Sequence, residues 1–291
     1  MKAEAEAWAQ AGLLYEVVDE VAWLRLNRPE KRNALDHYPG GSGPDGMGLR
    51  DALLFAIRNA SEDKGVKAAV ITANGSVFSA GADLRQPGGA LEIPADRRRG
   101  PTVARDDGVL YGWYRLFEAI WRSETTFIAA VNGPAIGAGC QLALACDLIY
   151  ASHSATFWEI FGRIGLPIEG GAAFLLTRSL SLPRAKEMAL LAEPLGAEKA
   201  QEWGLINQAV PADELQAVAA ATAHKLAALG PPPTGPAASA PRRDLSARLG
   251  HIKGQINAAW EQTMWQTFRE EVSLLNLPAG DTSEQRSESG G

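Results

Sequence analysis

The chain has 291 residues, of which 46% are hydrophobic and 21% are charged. This length fits one large domain or two small ones, and the composition is typical of a folded protein rather than a disordered one. The sequence contains 28 Lys and Arg residues against 34 Asp and Glu residues, a net charge of −6. This balance gives no general electrostatic reason to bind nucleic acid or an anionic membrane, so we expect neither as a partner.

Further classes of protein are excluded by the cysteines, the histidines and the amino terminus. Only Cys140 and Cys146 are present, which excludes a disulfide framework and an all-cysteine zinc site. The histidines are His37, His153, His224 and His251. They show no metal-ligand spacing, so no metal is expected. The first ten residues lack a long apolar core and no spanning apolar run occurs, which favours a cytoplasmic protein.

The first third of the chain predicts two strands, a helix and a third strand. Residues 14–26 form two runs rich in β-branched residues around an acidic turn, which is typical of a hairpin. Apolar residues recur at helical spacing over 49–59, and 67–72 is a short apolar run of the kind found in a buried parallel strand. Residues 85–108 are rich in Pro, Gly and Arg and predict a long loop.

The middle of the chain alternates strand, turn and helix. Residues 109–121 predict an amphipathic helix, and 127–131 predicts a buried strand. A glycine-rich turn then leads into a helix that ends at Ala145, and the next strand covers 148–150. This alternation is the pattern of an α/β domain with parallel strands.

The carboxyl-terminal quarter of the chain has a different sequence pattern, which predicts helices. One helix is followed by a Pro/Ala-rich linker, and apolar residues then recur every three to four positions from Leu245 to Phe268. This stripe is longer than one helix needs within its own domain, so we expect an interface between subunits. We divide the chain into a core over 12–207, a helical unit over 208–278 and a tail over 279–291 that is expected to be disordered.

Two glycine-bearing turns carry the first chemical signal. The first is FSAGADL at 78–84, and the second is NGPAIGAGCQ at 132–141. Each follows a short apolar strand, and small residues there let a ligand approach the backbone closely. The first N–H groups of a helix lack partners, so two such turns side by side predict an oxyanion hole for a carbonyl that gains negative charge. The alternative is ordinary use of glycine at strand-to-helix corners.

Together and in this order, several segments resemble the crotonase superfamily, also called the enoyl-CoA hydratase/isomerase family. They span residues 14–210. The segments that carry the resemblance are LNRPEKRNAL at 26–35, FSAGADL at 78–84, AAVNG at 129–133 with the stretch from there through Cys146-Asp147, ATF at 155–157, Gly165-Leu166, and AQEWGLI at 200–206.

The resemblance implies an α/β fold, a crotonase-like spiral of ββα repeats with a helical carboxyl-terminal oligomerisation unit. It implies a homotrimer or a dimer of trimers that acts on an acyl-CoA thioester, with coenzyme A as part of the substrate and no separate cofactor. It also implies that the backbone N–H groups of Ala80 and Ala138 polarise the thioester carbonyl. Many family members have glycine where this chain has Ala138, and the change preserves the donor because the donor is a backbone group.

The same resemblance implies contacts with coenzyme A around the first motif. The residues expected there are Arg28, Lys31, Ala34, Ala80, Asp83 and Leu84. For Arg28 and Lys31 the alternative is a solvated turn, and Asp83 could instead favour the amino terminus of a helix. Trp158 and Phe161 are interpreted as lining a pocket for a bulky or aromatic acyl group. Trp113 is a third such candidate, with core packing as its alternative.

The sequence departs from the hydratases at the acid–base positions. The two glutamates that handle the water and the proton in hydratases would fall on Gln141 and Phe161. Neither side chain exchanges a proton at neutral pH. Gln141 can still form hydrogen bonds and orient a water, whereas Phe161 can only shape the pocket. Hydration by two glutamates is therefore not expected.

Glu169 is the carboxylate that remains well placed. Counted without gaps from the ATF motif, it falls where dienoyl-CoA isomerases and 4-chlorobenzoyl-CoA dehalogenases carry a catalytic aspartate. A carboxylate beside an apolar pocket can act as general base or nucleophile. The alternative is that Glu169 only caps the helix opened by Gly170-Gly171. Glu159 is the second candidate, and His37 is the best candidate among the histidines.

We therefore interpret the chain as an enoyl-CoA hydratase/isomerase-family enzyme that acts on an acyl-CoA thioester through a stabilised enolate. Glu169 is the single candidate acid/base, so proton shuttling or addition/elimination is favoured. One alternative is an acyl-CoA hydrolase or a dehalogenase-type member, with Glu169 as base or nucleophile. The other is a non-catalytic acyl-CoA-binding protein, which the loss of both usual glutamates suggests.

Overall fold

The computed structural model describes residues 2–37, 40–85, 109–229 and 245–259. Nine α-helices and nine β-strands follow one another within these ranges. The helices are α1 Lys2–Gln10, α2 Leu49–Glu62, α3 Val109–Trp121, α4 Ala138–Leu144, α5 Ala172–Ser179, α6 Leu182–Leu191, α7 Ala197–Glu202, α8 Leu215–Ala228 and α9 Leu245–Ala259. The strands are β1 Leu13–Val18, β2 Val21–Leu26, β3 Ala68–Ala73, β4 Thr126–Val131, β5 Ala135–Ile136, β6 Leu148–Ser152, β7 Thr156–Trp158, β8 Leu195–Gly196 and β9 Gln208–Val210.

Six strands form one large sheet in the order β1-β2-β3-β4-β6-β9. In this sheet β1 and β2 pair antiparallel, and the other neighbouring strands pair parallel. The hairpin turns on Asp19 and Glu20, which both have positive φ, the geometry that matches the twist of the flanking strands. The predicted hairpin and the parallel arrangement of the strands after it are confirmed.

Two apolar clusters cover the two faces of the large sheet. Val70 and Ile128 pack with α8 on one face, whereas Ile71 and Ala129 belong to the larger cluster with α2, α3 and α4 on the other. Neighbouring residues of one strand separate in this way because successive side chains point to opposite faces. Every residue of β3 and β4 is consequently buried, as the continuous apolar runs predict for inner parallel strands.

A second, smaller sheet has the order β5-β7-β8. Single bridges join Ser79 to Ala135 and Leu35 to Ala82 beside this sheet. The chain passes from β4 in the large sheet to β5 in the small one, and it does so again from β6 to β7. Successive turns of the chain thus give one strand to each sheet, which confirms the expected spiral of strand–strand–helix repeats.

The carboxyl-terminal part starts inside the large sheet. Strand β9 pairs with β6, so the boundary expected at residue 207 falls one position before the last strand of this sheet. Helix α9 lies against β4, where the Lys253 ammonium donates to the Ile120 carbonyl at 2.7 Å and to Oδ2 of Asp147 at 2.9 Å. The described residues include no helix with the length and apolarity needed to cross a membrane.

Several predictions fall outside the described residues. These are the long loop after residue 85, the apolar stripe beyond residue 259 and the tail over 279–291. They stay predictions.

Candidate active site

The turn after β2 is fixed by Asn33. This residue is fully buried and has a φ of +51°, a backbone region that asparagine tolerates better than most residues. Its Oδ1 accepts the backbone N–H of Arg28 at 2.8 Å. Its Nδ2 donates to the carbonyls of Asn74 and Val77 at 2.9 and 2.8 Å, which ties this turn to the segment after β3.

Arg28 lies inside the protein, with only 4% of its surface exposed. Its guanidinium forms an ion pair with Asp36 and donates to the Ala34 carbonyl at 3.1 Å. Asp36 also accepts the backbone N–H of Leu49 at 2.7 Å, at the start of α2. The solvated-turn alternative is wrong for Arg28. One guanidinium nitrogen, Nη2, has no hydrogen-bond partner among the described residues, and the expected contact of Arg28 with coenzyme A stays a prediction.

The other residues expected near coenzyme A lie on two adjacent segments. The Leu35 N–H donates to the Gly81 carbonyl at 2.8 Å, and the Asp83 N–H donates to the Leu35 carbonyl at 3.1 Å. These bonds bring the two motifs together. Lys31 is exposed, Ala34 is buried, and Asp83 and Leu84 are half-buried. Their contacts with coenzyme A stay predictions.

The first predicted oxyanion donor, Ala80, is already used within the protein. Its N–H donates to the Arg32 carbonyl at 2.9 Å. The available donor lies two residues further on. In the parallel bridge between Leu35 and Ala82, the bonds are made by the neighbours Gly81 and Asp83, so the Ala82 N–H is directed away from Leu35. It has no acceptor in the part of the chain that the structure describes, so Ala82 replaces Ala80 as the candidate donor.

The second turn places Ala138 at the first position of α4. Gly137 precedes the helix with φ 51° and ψ −119°, a conformation that is open to glycine. The Gly137 N–H donates to the Trp158 carbonyl at 2.8 Å, which anchors the turn on β7. The Gln141 N–H makes the first helical bond, to the Gly137 carbonyl at 3.0 Å. The Ala138 N–H precedes this bond and has no acceptor among the described residues, as predicted for a helix start.

Gly81 brings the two donors together. It has a φ of +82°, and a β-carbon there would lie 2.5 Å from the Ile136 carbonyl oxygen and 3.2 Å from the Ala138 nitrogen. A residue with a side chain would therefore push the first turn away from the second. With glycine the turns pack directly on each other, which brings Ala82, the residue after Gly81, close to the start of α4.

Glu169 stands on the segment before α5. Its side chain is half-buried, and burial raises the pKa of its carboxyl above the ordinary value. The cap residue of α5 is Gly171 and no side chain caps this helix, so the helix-cap alternative for Glu169 is wrong. The Glu169 carbonyl accepts Nε2 of Gln141 at 2.9 Å. Because Gln141 lies one helical turn after Ala138, this bond brings the Glu169 segment to the donor side of α4.

Gln141 is 1% exposed, and its amide nitrogen is used within the protein. Besides the bond to the Glu169 carbonyl, Nε2 lies 3.5 Å from Oε2 of Glu159. The predicted role of Gln141 in orienting a water therefore depends on its Oε1 alone. Glu159 is fully buried, and burial raises the pKa of its carboxyl to about 7 despite bonds from Cys140 and Gln141.

The aromatic residues divide between the site and its surroundings. The Phe161 ring packs against the start of α4, where its Cζ is 3.9 Å from the position that a β-carbon on Gly137 would take. Phe117, which the sequence did not single out for the site, has a ring edge 3.2 Å from the corresponding place on Gly170. Trp113 is buried in the core and stacks on Phe117. The Trp158 indole instead donates to the Ala192 carbonyl at 2.7 Å, at the end of α6.

The fold and the two packed turns define an α/β enzyme of the crotonase superfamily. The family model described as "Enoyl-CoA hydratase/isomerase" matches residues 16–251. The chain therefore belongs to the enoyl-CoA hydratase/isomerase family, as the sequence motifs predicted.

Similar proteins include both hydratases and a dehalogenase. The chain is 37% identical over 197 residues to a probable enoyl-CoA hydratase of Rhodobacter capsulatus, covering 68% of each chain. It is 35% identical over 215 residues to 4-chlorobenzoyl coenzyme A dehalogenase-1 of an Arthrobacter species, covering 73% of this chain and 71% of that protein. The crystal structure of an enoyl-CoA hydratase from Mycobacterium avium subsp. paratuberculosis K-10 matches with a TM-score of 0.67 and 30% identity, covering 92% of this chain and 95% of that one.

Proposed function

We propose that this enzyme binds an acyl-CoA thioester with its carbonyl oxygen between the N–H groups of Ala82 and Ala138, and that Glu169 moves the proton. The observation that supports this most directly is that two turns packed on each other at Gly81 each carry a backbone N–H without an acceptor among the described residues. Two donors aimed at one oxygen stabilise charge that develops there during reaction. The family similarity to proteins named for coenzyme A thioesters agrees with this chemistry.

The proposed step is the removal of a proton from the acyl carbon α to the thioester carbonyl. The electron pair left behind delocalises onto the carbonyl oxygen, and the resulting enolate is held by the two N–H groups. Glu169 takes the proton. Burial raises the pKa of its carboxyl, and a carboxylate with a raised pKa is a stronger base.

The residues at the two acid–base positions of the hydratases favour a proton shuttle over hydration. Gln141 is neutral and Phe161 is apolar, so neither supplies the second acid that water addition uses. One carboxylate is sufficient for a double-bond shift, since it removes a proton from one carbon and the protonated form returns a proton to another. We therefore propose isomerase-type chemistry on an unsaturated acyl-CoA.

Dehalogenation is the second candidate. It is supported by the similarity to 4-chlorobenzoyl coenzyme A dehalogenase-1 and by the rings of Phe117 and Phe161 near the site. In this case the Glu169 carboxylate attacks the ring carbon, halide leaves, and water hydrolyses the resulting ester.

Coenzyme A is proposed to lie along the paired motifs, near Lys31, Ala34, Asp83 and Leu84. The bonds between Leu35, Gly81 and Asp83 support this placement, because they form one surface from both segments. A homotrimer or dimer of trimers and a cytoplasmic location stay predictions.

The test is turnover of three thioesters in D₂O: a 3-enoyl-CoA, crotonyl-CoA and 4-chlorobenzoyl-CoA. We expect the 3-enoyl-CoA to become the 2-enoyl isomer, with solvent deuterium entering the acyl chain. Chloride release from the aryl thioester would instead establish the second candidate. Crotonyl-CoA hydration faster than isomerisation would contradict the single-base mechanism, and binding of all three thioesters without any turnover would show a non-catalytic acyl-CoA-binding protein.

A further inference from the structure

Glu159 is a buried carboxyl that the proposed reaction leaves without a task. It follows β7, and its side chain is completely shielded from solvent. The carboxyl accepts the Cys140 thiol, and its Oε2 lies 3.5 Å from Nε2 of Gln141. Its Oε1 has no hydrogen-bond partner within the described ranges. A carboxyl in such surroundings is costly when ionised, because it is shielded from solvent and no cation among the described residues pairs with it.

The surroundings of Glu159 contain few groups that could hold its charge. From α4 the titratable group that faces it is the Cys140 thiol, whose pKa is raised by burial, so this thiol stays neutral. From the segment before α5 the titratable residue is Glu169, which reaches the same Gln141 amide through its backbone carbonyl. Arg163, four residues after Glu159, donates instead to the Ala192 carbonyl. Among the described residues no ion pair includes Glu159.

The Gln141 amide joins Glu159 to the segment that carries Glu169. One amide nitrogen donates in two directions, to the Glu169 carbonyl at 2.9 Å and towards Oε2 of Glu159 at 3.5 Å. Gly170 packs on the same amide and has a positive φ, so the backbone beside Glu169 cannot shift without breaking this contact. The position of the Glu169 side chain therefore depends on where the Gln141 amide is held.

We propose that Glu159 is a positioning residue, which acts through the Gln141 amide to hold Glu169 in place and does so more firmly when it is ionised. The inference rests on the proposed role of Glu169 as the base. A carboxylate is a stronger hydrogen-bond acceptor than a carboxylic acid, so ionisation of Glu159 strengthens its bond from Gln141. Protonation weakens this bond and loosens the segment before α5.

The direction of the pH effect follows from this arrangement. The pKa of Glu159 is raised to about 7 by burial. Above that pH the carboxylate holds Gln141 and the segment is ordered, whereas below it the segment loosens. We expect kcat to fall as Glu159 takes up its proton, with little change in KM because the proposed coenzyme A contacts lie on other segments.

The kinetic test compares Glu159→Gln, Gln141→Met and the double variant with wild type. Above pH 7, we expect Glu159→Gln to lower kcat by about 10- to 100-fold, the scale on which small misplacements act, with KM within about twofold. The inflection that Glu159 adds to the pH profile should disappear. The double variant should lose no more kcat than either single variant, because both substitutions break the same connection between Gln141 and Glu159. Additive losses, or a Glu159→Gln profile like that of wild type, would overturn the proposal.

Glu193→Gln is the matched control, since it makes the same chemical change on an exposed side chain. A second readout does not need turnover: hydrogen exchange of the amides over 166–172 in the full ligand-free chain. We expect faster exchange in Glu159→Gln and Gln141→Met than in wild type and Glu193→Gln. Wild type itself should exchange faster below pH 7 than above it, after correction for intrinsic rates.

The exchange experiment separates the two proposals. If wild type turns over no thioester, the proposed function fails, and the exchange comparison still decides whether Glu159 orders the segment. If Glu159→Gln does not fold, Gln141→Met and the pH dependence of wild-type exchange give the same decision. Equal exchange in all variants and at both pH values would show that Glu159 has no positioning role.

Discussion

The two sides of the site are built from different chemistry. On one side, Ala82 and Ala138 offer backbone N–H groups, and Gly81 and Gly137 set their geometry through backbone conformations that other residues rarely adopt. On the other side are the side chains of Gln141, Glu159 and Glu169, where the Gln141 amide contacts the Glu159 carboxyl and donates to the Glu169 backbone carbonyl. The chemistry of the first side does not depend on which side chains the donor residues carry. The chemistry of the second side depends on the identity of its side chains.

This difference separates what the family shares from what the individual enzyme does. A backbone donor survives the exchange of glycine for alanine, so Ala138 can still serve as the proposed oxyanion donor. Exchange of a carboxylate for Gln141 or Phe161 removes a proton-transfer group completely. Substitutions on the two sides should consequently have different signatures, and the following predictions use them to test the comparison.

The largest effect is expected from Glu169→Gln. The variant keeps the shape of the side chain and removes the base, so kcat should fall by about 10²–10⁴-fold. Affinity for an acyl-CoA should change little, because the carbonyl donors are elsewhere. The measurement is steady-state kinetics together with calorimetric binding, with the exposed Glu202→Gln as the control. Unimpaired turnover in Glu169→Gln would assign the proton transfer to another residue.

The backbone side is tested by Ala138→Pro. Proline is accepted at the first position of a helix but carries no N–H, so the fold should survive and one oxyanion donor should be lost. We expect kcat/KM to fall by about 10²–10³-fold, the usual effect of removing one such donor. Ala138→Gly is the matched control, since it changes the side chain and keeps the N–H. A folded Ala138→Pro enzyme with full activity would show that the carbonyl binds elsewhere.

Much of the fold could be predicted from sequence because its signals are local. Composition shows the apolar runs of β3 and β4, and alternation shows the hairpin of β1 and β2. Helix α2 ends at Glu62, three residues after the predicted end at 59. Helix α1 was missed. Its residues are mostly Ala and Glu, and the contact that fixes it is the buried Trp8 ring against Tyr15, which lies outside the helix.

The site could be predicted only in part, because its details depend on contacts between distant segments. Motif position was enough to predict Ala138 at the start of α4 and a carboxyl of Glu169 just before α5, whereas their roles in the reaction stay predictions. Ala80 is wrong by two residues, since the choice of free N–H depends on the phase of hydrogen bonding with Arg32 and Leu35. Nothing in the sequence shows that a glutamine would bind a carboxyl 18 residues away, so the link between Gln141 and Glu159 was missed.

A smaller effect on both activity and stability is expected from Gly81→Ala. The new methyl group would meet the Ile136 carbonyl at a backbone φ of +82°, so the two turns must separate. A side chain in such a conformation costs about 1–3 kcal/mol of stability, and kcat/KM should fall about tenfold as the donors move apart. The control is Gly254→Ala in α9, where a β-carbon meets nothing within 4 Å and the stability should rise slightly. Thermal unfolding and kinetics of both variants make the comparison. Equal behaviour of the two variants would mean that the packing of the turns does not position the donors.

The smallest change in activity is expected from a change of pH within the neutral range. This change also separates the backbone side of the site from the carboxylate side most clearly. Glu169 must be ionised to act as a base, and burial raises the pKa of its carboxyl. As the pH falls, the protonated form accumulates and kcat/KM declines by about tenfold per pH unit below that pKa. This decline starts at a higher pH than it would for a glutamate in water. Protonation of Glu169 does not lower the rate by unfolding the protein, because a carboxyl whose pKa is raised in the folded state stabilises the fold when it is protonated.

The backbone donors do not titrate, so the affinity for a non-reacting acyl-CoA analogue should stay constant over the same range. Kd for the analogue and kcat/KM for the substrate, measured in parallel from about pH 5 to about pH 8, test this directly. In Glu169→Gln the residual rate should lose the part of the pH dependence that Glu169 causes. If Kd and kcat/KM changed together with pH, binding and proton transfer would share one titrating group, and the division of the site into a backbone side and a carboxylate side would be wrong.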